Sequence, residues 1–424
     1  MICVDLIINL CISFDTFYAT REWSYVVQKA SLFAKNRFNY RIYSEDSPHA
    51  SPALMNYFSV ALFFISGDGL HLWSLKLVLA LHYAITQISY LLVVGKSKFV
   101  APWTAIAFSL AFSVRKLIML HPSSASLVMP LYFITVFLAL NGKYFKAILA
   151  LGIAAAADPV ALTLVPPMIV LSWESTGLIK TSLSFAVSVL SYLGIAYPFV
   201  KENLANYYIM TLAHLPYISY GLSFNFSFLP NRLFHSRLLW LGTTCAQYGV
   251  IFLLFITKWV PGVTGFYQML ARKNMVQKQH LHPHYVVRTL LSSTFAFRAL
   301  RRNLSWQMAT MQLLILPFIL SQNNTFNETI KLAFIIILDI AIRFKIKYLS
   351  VFLWTFSMII GLVQSIHSPK IRRTTRVDEK YDEPTENKPP RSPVFSLLLS
   401  PLSTNVKKRN NRHKNVDVYE ARSL

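Results

Sequence analysis

The chain has 424 residues, 54% of them hydrophobic and 14% charged, against roughly 45–50% apolar and about 25% charged in soluble domains. With a mean hydropathy of +0.44, this excludes an ordinary multidomain soluble protein and points to a polytopic helical membrane protein, since about 18 consecutive apolar residues suffice to cross the hydrocarbon. The formal net charge of +23 does not mark a nucleic-acid binder, because the basic residues sit in short linkers and the C-terminal tail rather than in one compact basic domain.

Residues 2–18 form a first apolar segment interrupted by Asp5. It lacks a basic leader and a small-residue cleavage site, which favours a retained anchor or a partly embedded helix. Between Arg21 and Arg41, Trp23, Val26, Val27, Ala30, Leu32 and Phe33 recur at helical spacing, with Lys29, Lys35, Arg37 and Arg41 on the polar side. That pattern predicts a helix lying along the interface. Turn signals follow at Ser47-Pro48 and Ser51-Pro52. Spanning candidates are then 52–66, 72–94, 101–120, 124–141, 144–172, 180–200, 204–222, 237–257, 306–321, 328–343 and 346–366. The fold class is all-α, with roughly 9–12 spanning or re-entrant helices.

The 144–172 segment cannot be one straight helix, because Asp158-Pro159 and Pro166-Pro167 interrupt it and proline removes a backbone donor. A broken or re-entrant pair is expected, covered by protein or lining a cavity. The small residues of "ALGIAAAADPVA" suit close helix approach. Residues 258–305 gather arginines, lysines and histidines and read as a basic loop with one short or interfacial helix. From Ser368 the chain is rich in Pro, Lys, Arg and Asn, as in a disordered cytosolic tail. The organisation is thus a multispanning membrane domain, 1–366, and a tail, 367–424.

Glu45, Asp46 and His49 are the most enzyme-like cluster: at an interface, such an acid acts as a base or holds a metal beside a lipid phosphate, or else it only solvates a turn. Asp158, a charge in an apolar region, faces a cavity or partner, or sits in a turn near one surface. Arg115-Lys116 and His121-Pro122 mark a hydrophobic boundary or meet an anionic head group. His280, His282 and His284 have no zinc-site spacing, Cys3, Cys11 and Cys245 no metal or disulfide pattern. No metal or cofactor is implied. Asn-x-Ser/Thr patterns begin at Asn225, Asn303, Asn323 and Asn327, the last two forming a close pair for lumenal glycosylation.

Trp23, Tyr43-Ser44, His49, Ser51-Pro52 and Leu54, in that order, resemble the PIG-U (Cdc91-like) subunit family of the glycosylphosphatidylinositol (GPI) transamidase complex. A second block, from Ala111 to Trp173, is similar in Pro159, Leu162, Leu164, Val165 and Pro166, and a weaker one covers Gly221, Leu222, Phe224 and Phe226. The sequence departs from that family at Arg41-Ile42, Glu45 and Ser113-Val114.

The resemblance implies a membrane glycosyltransferase-like fold in the endoplasmic reticulum membrane and a non-catalytic role. The partners it implies are the other transamidase subunits, including the cysteine-protease-like catalytic one, with the GPI glycolipid, the precursor's C-terminal hydrophobic signal and membrane lipids. On that reading Tyr43, Ser44, His49, Ser51, Pro52, Asp158, Pro159 and Pro166 orient or wall a lipid groove. The alternative is a membrane mannosyltransferase acting on GPI or dolichol-linked precursors, with an acidic residue near the first span as base.

Overall fold

A computed structural model describes residues 5, 21–35, 52–68, 71–97, 100–120, 123–208, 211, 226, 229–260, 267, 281–301, 306–321, 327–344 and 347–367. Every element among them is helical, as the composition predicts. Among the described residues, three helices are long and apolar enough to cross a bilayer: Trp73–Ser97, Leu178–Tyr208 and Arg237–Trp259. Four shorter apolar helices, Ala53–Ile65, Tyr144–Ala157, Ala309–Ser321 and Val351–Val363, accompany them. At 1.5 Å per residue, a helix of 13 residues spans only about 20 Å, so these shorter ones need company to cross.

Helix α1 (Arg21–Ala34) is the predicted amphipathic segment, and it packs on α2 (Ala53–Ile65). Its apolar stripe meets the partner through Phe33, whose ring lies edge-on to Tyr57 at 5.7 Å. Helix α3 (Leu72–Ser97) runs against α6 (Ser124–Leu140). The expected span 101–120 is two helices, α4 (Trp103–Leu110) and α5 (Phe112–Leu120), because Ala111 leaves the helical region with ψ 83. The break is stabilised from outside: Asp339 accepts from the backbone N–H of Phe112 and of Ser113, each at 3.0 Å. These are amides that a helix start leaves without intrahelical partners.

Ser123 opens α6 with a reciprocal capping box to Ser126. The turn after α6 needs Gly142 at φ 66, a left-handed conformation that glycine adopts without penalty, and it reverses the chain into α7 (Tyr144–Ala157). The small residues of α7 do what their size permits. A Cβ at Gly152 would lie 2.7 Å from the Ser188 carbonyl oxygen, and the Ser188 hydroxyl donates to the Ile148 carbonyl at 2.8 Å. Helix α7 thereby seats tightly on α9 (Leu178–Tyr208), which is bent where Asn203 is extended. Between α7 and α9 run a short 3-10 segment, Pro159–Leu164, and α8 (Val165–Thr176).

Helix α10 (Arg237–Leu254) continues as a π-type turn, Phe255–Trp259. Inside the stretch expected as a basic loop lies α11 (Pro283–Ala299), with Val286, Val287, Leu290, Leu291 and Phe295 buried in the main core. Helices α12 (Trp306–Ser321), α13 (Glu328–Arg343) and α14 (Lys347–His367) complete the bundle. The main core joins α3–α8 to α11–α14, and α10 and α9 are left largely exposed at its margin.

Candidate functional site: a cavity at the broken segment

The break predicted from the prolines is present and well supported. Helix α7 stops at Asp158, which is extended (φ −155, ψ 129). The chain then makes one tight turn, Pro159–Leu164, and resumes as α8 with prolines in its first turn, where a missing N–H costs nothing. Asp158 is buried, 3% exposed, with both carboxylate oxygens engaged. Oδ1 accepts from the Val160 amide at 2.8 Å and Oδ2 from the Ser124 hydroxyl at 2.7 Å. It therefore caps the turn and ties it to the start of α6.

The opened backbone is satisfied from α11. Ser293 donates to the Thr163 carbonyl at 2.9 Å, and the hydroxyls of Thr163 and Thr294 lie 3.0 Å apart. Tyr132 reaches Thr294 at 2.8 Å. Irregular backbone at membrane depth is tolerated under such cover.

Beside this turn lies a cavity of about 370 Å³ lined by residues including Pro159, Pro166, Trp240, Tyr248, Phe297 and Arg301. Pro159 and Pro166, expected as groove wall, are thus brought together with Asp158 next to them in the chain. α10 forms the other side, held to α11 by the Gln247 amide donating to the Phe297 carbonyl at 3.0 Å. Beyond the polar edge, Leu254, Trp259 and Val260 cluster with Val170 and Ala296. Arg298, 1% exposed, places Nη2 3.0 Å from the Met311 sulfur, and the Asp158 carboxylate acts electrostatically on both Arg298 and Arg301.

The other sequence candidates fall elsewhere. Pro52 is buried and precedes α2, away from the cavity lining. Tyr43, Ser44, Glu45, Asp46, His49, Ser51 and Asn323 lie outside the described residues. Asn327 is exposed and caps α13, its side-chain oxygen accepting from the Thr329 amide at 3.3 Å. Arg115 is buried, and its guanidinium pairs with Asp5 at 2.7 Å. His282 caps α11 through Nδ1, which accepts from the His284 amide at 3.3 Å. Among the described residues no cluster could hold a metal ion. Sequence reasoning missed Ser124, Arg298 and Arg301. The spacing "FRALRR" at the end of an apolar helical stripe was the available signal.

The family model for ALG3 protein matches residues 1–345. Over 370 residues the chain is 20% identical to a protein of Dictyostelium discoideum named "Probable Dol-P-Man:Man(5)GlcNAc(2)-PP-Dol alpha-1,3-mannosyltransferase", covering 80% of this chain and 82% of the relative. A human Dol-P-Man:Man(5)GlcNAc(2)-PP-Dol alpha-1,3-mannosyltransferase is 20% identical over 307 residues, 72% of this chain and 70% of its own.

These matches overturn the resemblance to the PIG-U family. With it fall the non-catalytic role, the transamidase subunits with their cysteine-protease-like member, and the GPI glycolipid and precursor signal as partners, because the matched relatives are named as mannosyltransferases. The reason is physical. Isolated Tyr, Ser, His and Pro residues recur wherever a turn leads into a membrane helix, and the apolar spans between them carry little that distinguishes one family from another. The multi-pass endoplasmic reticulum membrane placement holds under the new assignment. A match running through 345 residues of one continuous model outweighs short motifs scattered over the first half, and the chain belongs to the ALG3 protein family.

Proposed function

We propose that the chain is a membrane mannosyltransferase that moves mannose from a dolichyl-phosphate carrier to a dolichyl-diphosphate-linked oligosaccharide. The observation that carries this reading is family membership along residues 1–345, together with two relatives whose names state that reaction class. It returns to the enzyme alternative raised by the sequence, with dolichol-linked rather than GPI precursors favoured by the relatives' names.

The chemistry is a substitution at the sugar's anomeric carbon. An acceptor hydroxyl oxygen forms the new glycosidic bond, the bond from that carbon to the phosphate oxygen breaks, and dolichyl phosphate leaves with the electron pair. The hydroxyl proton passes to a carboxylate base, a role worth about 10²–10⁴-fold in rate. Asp5 is not that base, since its oxygens are held by Arg115, Gln87 and Ser109. Asp158 is committed to its turn. The other acids that precede α2 in the chain are Asp15, Glu22, Glu45 and Asp46, and the base is sought among them.

The test uses the purified full chain in lipid with dolichyl phosphate linked to radiolabelled mannose and a Man(5)GlcNAc(2) acceptor on dolichyl diphosphate. Transfer of label to the acceptor, lost at least about a hundredfold on replacing one of the four acids by alanine, supports the reading. Folded protein that transfers no mannose overturns it.

A further inference from the structure

The end of the bundle from which the C-terminal tail departs is basic along its connections. Helices α3 and α6 run side by side in one direction: His82 Nε2 lies 3.0 Å from the Ser126 carbonyl, and the rings of Tyr90 and Phe133 are 5.2 Å apart. Their last residues, Ser97 and Leu140, therefore share an end. Helix α8 returns to it, since Glu174 acts electrostatically on Tyr144, the first residue of α7. Tyr285 joins the same corner to the end of α10, bonding both Glu174 and the Trp259 carbonyl. Helix α13 starts there, with Glu328 accepting from the Trp103 indole of α4. Helix α14 packs antiparallel on α13, Phe334 against Phe356 at 5.9 Å, and so ends there.

The stretches that meet at this end are 95–102, 141–146, 177–180, 258–284 and, after α14, 368–376. Every one carries Lys or Arg, and none contains an Asp or Glu. Lys96, Lys143 and Lys146 are exposed, and "SPKIRRTTR" follows α14 directly. Among the described residues the acids here are Glu174, buried and bonded to Tyr285, and Glu328, paired with Lys331 at 2.9 Å. The opposite end exposes Asp68 and Glu202.

Basic side chains at helix ends extend to headgroup depth, and a Lys/Arg cluster next to a spanning helix attracts anionic lipid. The lysines here are spread among several helix ends, where headgroups surround the bundle, rather than gathered on one projecting surface. That distribution suits lipid better than an acidic protein. We propose that this end, from Lys96, Lys143 and Lys146 to the Lys370–Arg376 cluster, binds the headgroups of anionic phospholipids in the adjoining leaflet. The cluster lies beyond the residues 1–345 that the family model matches, and lipid binding here is independent of mannose transfer.

The test reconstitutes the full chain in phosphatidylcholine bilayers with a trace of chain-spin-labelled phosphatidylserine or phosphatidylcholine. Electron paramagnetic resonance reads the fraction of label held at the protein. Phosphatidylserine should associate at least about threefold more strongly than phosphatidylcholine. The preference should shrink towards parity in about 1 M salt, where the Debye length is about 3 Å. It should fall by about half or more in Lys370→Gln/Arg372→Gln/Arg373→Gln/Arg376→Gln, fall also in Lys96→Gln/Lys143→Gln/Lys146→Gln, and persist in Lys201→Gln, an exposed site at the other end.

Equal association of the two lipids, or a preference that either multiple variant leaves intact, overturns the proposal. Binding of soluble polyglutamate that the tail variant abolishes, with no preference between the lipids, assigns the cluster to an acidic protein and overturns it as well. No readout involves turnover, so failure of the enzymatic reading would leave the lipid result standing.

Discussion

At the scale of single residues, the chain spends its few buried charges on architecture. Asp5 and Arg115 lie 2.7 Å apart with Gln87 and Ser109 donating to the same carboxylate at 2.6 and 2.8 Å, and the guanidinium sits 5.7 Å from the centre of the Tyr83 ring. Removing one partner strands a buried charge at a cost of about 3–5 kcal/mol, whereas replacing both with apolar groups is often neutral. Thermal unfolding in detergent, followed by tryptophan fluorescence, should therefore show a large loss for Asp5→Leu or Arg115→Met. The double variant Asp5→Leu/Arg115→Met should recover most of it. A double variant as unstable as the two losses added together would show that the pair is not what anchors this corner.

The same logic explains which charges could be read in advance. Asp158 was legible as a charge in an apolar run beside a proline. Arg115 was visible but its partner, 110 residues away, was not, since nothing local joins positions so far apart. Asp339 was hidden among the apolar residues of α13, and its role in capping α5 emerges only when the two helices meet.

At the scale of elements, proline placement was the most readable signal and small-residue packing the next. The broken segment and the seating of α7 on α9 follow from residue types that act locally. The core position of α11 was obscured for a definable reason. Its arginines suggested a basic loop with one short or interfacial helix, while Val286, Val287, Leu290, Leu291 and Phe295 form a helical stripe that enters the core. Charge count overrode periodicity at Arg288 and Arg298, both of which are buried. Likewise α4 and α5 share one apolar run, and no proline or glycine announces the turn at Ala111.

The broken segment yields a direct comparison. Pro159 and Pro166 hold backbone out of helical register beside the cavity, so Pro159→Ala/Pro166→Ala permits α7 and α8 to approach one straight helix and narrows the cavity. Mannose transfer by the double variant should fall at least about tenfold in kcat/KM, a loss of about 1.4 kcal/mol in transition-state stabilisation. Replacing Lys407, Lys408 and Arg409 by alanine, in the tail, should leave it unchanged. Steady-state kinetics on equal amounts of folded protein decides the ranking, and equal or reversed effects would remove the turn from the working parts.

At the scale of the whole molecule, an asymmetry organises the bundle: the main core gathers α3–α8 with α11–α14, and two of the long apolar helices, α9 and α10, lie at its margin. Only 11% of the apolar window of Arg237–Trp259 and 22% of that of Leu178–Tyr208 is buried within the protein. In water such surfaces would drive aggregation. In a bilayer they are the solvent-facing side, and the exposed apolar area of α9 and α10 carries no penalty there. The arrangement separates two kinds of substitution on one helix.

Leu241→Arg and Phe252→Arg put a charge on the outward face, where an arginine near the helix centre costs about 2.5–3.5 kcal/mol for insertion. Thr244→Ala changes the cavity side and leaves insertion untouched. Glycosylation reporters fused after α10 should show reduced integration for the two arginine variants and wild-type integration for Thr244→Ala. Normal integration of both arginine variants would mean that α10 meets protein or water on that face.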